Sequence, residues 1–149
     1  MFRLSKLTDY SIVLLTAMSE EVGRVYSATE LAAKTHLEQT TVAKILKRLS
    51  KSGLIRSYRG ANGGYRLVEE PADITVSSVI GAMEGPIGMT ECSVSPGACA
   101  QEAYCKVQSN WQIISRAVEN ALGNVTLADM ATQMAPTADV RRLKVVTIT

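Results

Sequence analysis

Three cysteines fall within the fifteen-residue stretch ECSVSPGACAQEAYC, at Cys92, Cys99 and Cys105, and no other cysteine occurs in the chain. The spacing Cys-x6-Cys-x5-Cys, set among Ser, Pro, Gly and Ala, predicts a loop that folds its sulfurs toward one point. Three converging thiolates repel one another, and a metal cation or an iron-sulfur core would neutralise them. Two alternatives leave the metal out: direct oxidation of the thiols, or three unrelated small residues in a surface loop. A further alternative is zinc in a purely architectural role. Disulfides are disfavoured by the odd count and by the lack of a secretory signal.

What must hold this loop in place is bounded by the totals. A chain of 149 residues, 46% hydrophobic, suits one domain with an attached arm. The opening MFRLSKLTDYSIVLLTAMSEE contains a short apolar run, but Asp9 precedes it and two Glu close it, so it reads as an amphipathic helix rather than a leader or a membrane span. A reducing cytoplasm is the expected setting. The net charge of +2 hides a division. From Gln39 to Val68 there are seven basic residues and no acid, which leaves −5 for the rest. That concentration is the footprint of a nucleic-acid-binding face. No carboxylate pair, nucleophile-base set or phosphate loop stands out, so an enzyme is not expected.

The elements follow from hydrophobic period. A first helix begins near Leu7 or Thr8, carries Tyr10, Val13, Leu14, Ala17 and Met18 on one stripe, and ends at 21–23. After a short extended piece, Ser27 and Glu30 have the spacing of a reciprocal capping box for a second helix reaching Lys34 or Thr35. A third helix, Glu38 to Ser52, places Val42, Ile45, Leu46 and Leu49 toward a core. Together these make a helix-turn-helix, whose second helix enters the major groove. Its early residues Gln39, Thr40, Thr41 and Lys44 are in reach of base edges, and Lys47, Arg48 and Lys51 lie near phosphates.

Leu54–Tyr58 and Tyr65–Val68 read as strands of a hairpin, with Asn62-Gly63-Gly64 supplying the positive-φ positions of a tight turn. Behind a recognition helix such a hairpin is a wing, made cationic by Arg56, Arg59 and Arg66. Arg59, beside Gly60 at the tip, is expected in a minor groove. A fourth helix spans Val76 to Glu84. Beyond Cys105, Val107, Trp111, Ile114, Val118, Ala121 and Val125 step by 4, 3, 4, 3 and 4, the seam of two helices packed side by side, which predicts a homodimer. Thr126 and Asp129 have the spacing to cap a short last helix ending before Pro136. The tail is expected to be loosely held, its Arg141, Arg142 and Lys144 adding at most weak attraction to DNA. The expected fold is mainly α with a small β wing. Residues 1–85 form a winged helix-turn-helix domain, 86–106 a cysteine loop, 107–135 a long dimerisation helix with its short terminal helix, and 136–149 a flexible tail.

The run Leu4-Ser-Lys-Leu-Thr-Asp-Tyr10, the wing Gly53 to Tyr65, the segment from Ile74-Thr75 to Glu84-Gly85, and the three-cysteine loop together resemble the Rrf family of bacterial winged-helix regulators. The resemblance covers about residues 2 to 134 and is nearest to regulators of Suf-type iron-sulfur cluster assembly operons. It implies a dimeric repressor or activator, bound to double-stranded operator DNA, with Cys92, Cys99 and Cys105 holding one iron-sulfur cluster per subunit, either 2Fe-2S or 4Fe-4S. No membrane and no small-molecule substrate are expected. IscR-like members place a His three residues after the last Cys, where this chain has Gln108. The only histidine, His36, falls in the helix-turn-helix turn. NsrR-like members use an acid in the partner's first helix, and Asp9 occupies that place, with Gln108, Glu102 and Glu91 as alternatives. The resemblance leaves open an NsrR-like response to nitric oxide and a cluster-free thiol sensor.

Overall fold

A computed structural model describes residues 3–132 of the chain; the tail 136–149, with Arg141, Arg142 and Lys144, lies outside the described residues. The fold is mainly α with one two-stranded wing: α1 (Lys6–Ser19), α2 (Ala28–Thr35), α3 (Gln39–Ser52), β1 (Ile55–Tyr58), β2 (Gly64–Leu67), α4 (Val76–Glu84), α5 (Glu91–Val94), α6 (Gln108–Gly123) and α7 (Leu127–Ala131). A single 3-10 turn, Glu102–Tyr104, follows α5.

Helix starts are written locally. Ser5, Ser27, Thr75 and Thr126 each accept a hydrogen bond from the amide three residues on, satisfying one of the N–H groups a helix leaves unpaired at its start. Thr126 and Asp129 complete the reciprocal box expected of them. Ser27 and Glu30 do not: the Ser27 hydroxyl accepts from the Glu30 amide, but the Glu30 carboxylate accepts from the Arg24 guanidinium. An arginine offers a charge-assisted bond, which outcompetes a neutral amide for the same oxygen.

Helix α1 runs through the middle of the head and packs against α2, α3, α4 and α7. It therefore buries a wide face, Thr8, Ser11, Ile12, Leu14, Leu15, Ala17 and Met18, rather than the expected narrow stripe. Val13, placed on that stripe by period, is exposed instead, and Tyr10 is only half-buried. The two buried hydroxyls are satisfied, Ser11 donating to the Thr8 carbonyl and Thr8 to the Glu84 carboxylate.

Around α1 the core gathers Leu31, Val42, Ile45, Leu46, Leu49, Ile55, Leu67, Ile74, Val79, Ile80, Met83 and Leu127. Leu127 brings α7 back into the head: its amide donates to the Ile74 carbonyl, and Thr75 and Thr126 form an isolated bridge. The wing strands pair antiparallel in the register Ile55 with Leu67 and Tyr58 with Gly64. Tyr26 and Tyr65 exchange two backbone bonds of 2.8 Å, so the strand-like residue before α2 fastens the wing to the helices.

Candidate nucleic-acid interface and cysteine loop

Helix α3 shows how one sequence divides into a packed and an offered side. At about 100° per residue, Val42, Ile45, Leu46 and Leu49 share one arc, and all four are buried. Thr40, Lys44, Lys47 and Lys51 lie opposite, all exposed. Ala43, also exposed on that side, was missed by sequence reasoning because charge singled out its neighbours; a methyl there suits a thymine methyl in the major groove. Thr41 is half-buried at the flank. Gln39 donates through its amide to Thr29 Oγ1, 2.9 Å, which ties the start of α3 to α2.

Arg48 stands apart from the lysine stripe. One guanidinium nitrogen donates to the Met83 carbonyl at 3.0 Å, in the last turn of α4. The turn into α3 is set by His36, the only non-glycine residue with positive φ among the described residues, whose amide closes α2 onto the Ala32 carbonyl. His36 is exposed, as a turn residue should be. Upstream, Arg24 pairs with Glu21 and Glu30, and Lys34 pairs with Glu20. The hydrogen bond to Glu21 raises the Arg24 pKa and the one to Glu20 raises that of Lys34, so these two cations are engaged locally.

The wing tip differs from the expected tight turn. Five residues, 59–63, connect the strands, with the Gly63 amide on the Gly60 carbonyl at 3.0 Å; of the three positions expected to have positive φ, Gly64 has it (157°) and Asn62 and Gly63 do not, while Gly60 has it instead (106°). The glycines at 63 and 64 also answer a need for close approach. A side chain at Gly63 would strike the Tyr58 carbonyl, and one at Gly64 the backbone of Tyr26. Arg56 and Arg66 sit directly across the strands, with Arg66 over the Tyr58 ring at 5.1 Å. Arg56 and Arg59 are exposed.

All three cysteines are free: Cys92 is buried, and Cys99 and Cys105 are half-buried. The loop does not fold its sulfurs to one point. Among the described residues no three His, Cys, Asp or Glu side chains are gathered to hold a metal ion. Local structure explains this. Cys92 lies on α5, which packs on α6, and its sulfur sits 3.3 Å from Thr90 Oγ1. Glu102 staples the rest, its carboxylate accepting from the Gly97 amide at 2.6 Å and from the Gln108 side chain at 2.7 Å. Two of the expected alternative ligands are thus engaged with each other. A cavity of about 250 Å³ beside Cys92 is lined by Ile87, Gln112, Ser115, Arg116 and Glu119. The donor chemistry of three free thiols on one short segment fits an iron-sulfur cluster, but the cage is not preassembled within one chain.

Asp9 is exposed on the first turn of α1, where a carboxylate also complements the helix dipole. Nearby, Glu84 accepts from the Ser5 amide at 2.8 Å and from Thr8 Oγ1 at 2.5 Å, and these bonds, Thr8 first, lower its pKa. On α6, Trp111 and Ile114 stay exposed, with Val107 just before them, while Val118 and Ala121 are half-buried. Val125, the last residue of the expected seam, packs against the chain's own core. Ile113, exposed on another side of α6, was not on the expected row. No helix among the described residues is long and apolar enough to cross a membrane.

The model of the Rrf2 family, described as an iron-dependent transcriptional regulator, matches residues 4–133. The HTH-type transcriptional regulator IscR of Klebsiella pneumoniae (strain 342) is 28% identical over 130 residues, covering 86% of this chain and 78% of its own. Among solved structures, CymR, the global cysteine regulator of B. subtilis, superposes with a TM-score of 0.70 at 28% identity, covering 91% of this chain and all of CymR. T. potens IscR superposes at 0.66 and 28% identity, covering 90% of this chain and 93% of its own.

Proposed function

The chain belongs to the Rrf2 family of transcriptional regulators, and from that premise we propose that it is a cytoplasmic, homodimeric, operator-binding repressor. In this reading it senses iron-sulfur cluster status through its cysteine loop and controls Suf-type cluster assembly genes. It is a regulator and not an enzyme, as its family and relatives are named. The observation that carries the proposal is the cationic face: exposed Lys44, Lys47 and Lys51 on α3 beside exposed Arg56 and Arg59 on the wing, with no acid between Gln39 and Val68.

On DNA, Thr40 and Lys44 meet base edges, joined by Gln39, Thr41 and Ala43 at the flanks, while Lys47 and Lys51 meet phosphates. Arg59 and the side-chain-free Gly60 enter the adjacent minor groove. The row Val107, Trp111, Ile114, Val118 and Ala121 on α6 pairs with a second copy.

Cys92, Cys99 and Cys105 would hold an iron-sulfur cluster, with Asp9 of the partner subunit as the fourth ligand. When bound, the group supplies an iron centre open to oxidants and nitric oxide. Because the thiols stand apart in the isolated chain, holding it requires that α5 and the Glu102 staple rearrange, and this gives the loop two states to report. Cys99→Ala should abolish the visible chromophore of protein purified without oxygen. Iron and acid-labile sulfide contents equal to those of the unaltered chain would reject the assignment.

A second reading, a cluster-free thiol sensor, is favoured by the ungathered thiols and by the likeness to CymR, titled a cysteine regulator. Metal analysis separates the two. Protein isolated under argon with no iron, yet with operator affinity altered by diamide, belongs to the second.

A further inference from the structure

We infer that Arg48 is a positioning residue that fastens the DNA-reading helix to the base of the cysteine loop. It is not one more phosphate contact. The inference rests on the reading that the cysteine loop is the sensor.

The lysines of α3 set the reference. At about 100° per residue, Thr40, Lys44, Lys47 and Lys51 fall within about 30° of one line, and Arg48 lies about 70° to its side. Its guanidinium reaches the Met83 carbonyl across 35 residues of sequence. That carbonyl belongs to the last turn of α4, where carbonyls lack intrahelical partners and where a cation complements the helix dipole. Arginine suits such a place, because its planar fork holds a direction that an ammonium does not.

The same turn is gripped from the other side, since Glu84 accepts from Ser5 and Thr8 of the α1 start. One residue later Gly85, with φ of 94°, turns the chain toward Cys92. Ile87, on the way, packs against the head's core and also lines the cavity beside Cys92. A rearrangement of segment 85–92 therefore pulls on the turn to which α3 is bonded. The Arg48 bond is a polar link between α3 and that turn, and through it loop state becomes recognition-helix position.

The test uses Arg48→Met, which keeps the apolar stem and removes the donors, with Arg48→Lys carrying the same measurements should the first variant fail to fold. Operator affinity is measured against salt for each chain as isolated under argon, and again after chelator stripping and alkylation with iodoacetamide. Hydrogen exchange is followed without DNA. We expect a salt slope equal to that of the unaltered chain and faster exchange around Gly85. The affinity ratio between the two loop states should fall below about 2-fold, from the roughly 5- to 150-fold of ordinary allosteric coupling.

A slope lower by about 0.9, with the affinity ratio kept, would make Arg48 a phosphate contact and overturn the inference. Unchanged exchange would overturn it as well. If the unaltered chain shows no difference between its two loop states, the sensor reading and the coupling fall together, while slope and exchange still decide whether Arg48 positions α3.

Discussion

Glu84 joins two distant points through one carboxylate, and its hydrogen bonds from Thr8 and Ser5 hold its pKa below the ordinary glutamate value. A carboxyl whose folded pKa is depressed adds stability that is complete above its unfolded pKa and is lost as pH falls through the folded one. The expected outcome is a thermal midpoint that declines with acid below the ordinary carboxylate range, and declines less in Glu84→Gln; equal declines in both chains would remove the effect from this residue. Gly64 offers a sharper test. An added methyl there meets the Tyr26 backbone, which holds the wing by two hydrogen bonds. Gly64→Ala should cost more than about 1 kcal/mol in urea unfolding, whereas Gly123→Ala, with open space at its Cβ, should not. At this scale the sequence disclosed caps at Ser27 and Thr126 because a cap is a local event. It hid Glu84 with Ser5, and Arg24 with Glu30, because those partners are chosen by the fold.

Among the elements, α3 was readable almost to the residue, since one continuous packed face imposes one period. Helix α1 was not: surrounded by four helices, it buries more of its circumference than a stripe, and Val13 lost the place that period assigned it. The cysteine loop was legible in its donors but not in their resting places. Spacing reports that three thiols can meet, while short α5 and the Glu102 staple decide where they rest in one chain. The proposed division of α3 into base-facing and phosphate-facing residues gives a paired prediction. Lys51→Ala should weaken binding to all sequences alike and lower the salt slope by about 0.9. Lys44→Ala should blur preference at one operator position, by about 1–3 kcal/mol of lost discrimination. Relative affinities across an operator library that survive Lys44→Ala unchanged would remove that residue from base readout.

For the whole molecule the deciding feature is the apolar row that starts at Val107, just before α6, and continues along it, where Val107 is 50%, Trp111 37% and Ile114 41% exposed. Two large side chains and a tryptophan in line on one helix are a cost to a chain alone in water, and a second copy of the same row would cover them by twofold symmetry. Symmetry doubles the consequence of any change, because each substitution enters the interface twice. Ile114→Asp would place two carboxylates near the twofold axis, each losing water with no cation opposite. Sedimentation at micromolar concentration should then show a monomer, while the circular dichroism of the helices persists, since Ile114 lies outside the head's core. Operator affinity should fall by about 10²- to 10⁴-fold, the advantage that two linked heads have over one. The remaining binding to a single half-site should keep its preference among bases, because α3 and the wing belong to one head. A dimer that persists in Ile114→Asp with full operator affinity would mean that another surface joins the two copies, and the α6 row would then need a different partner.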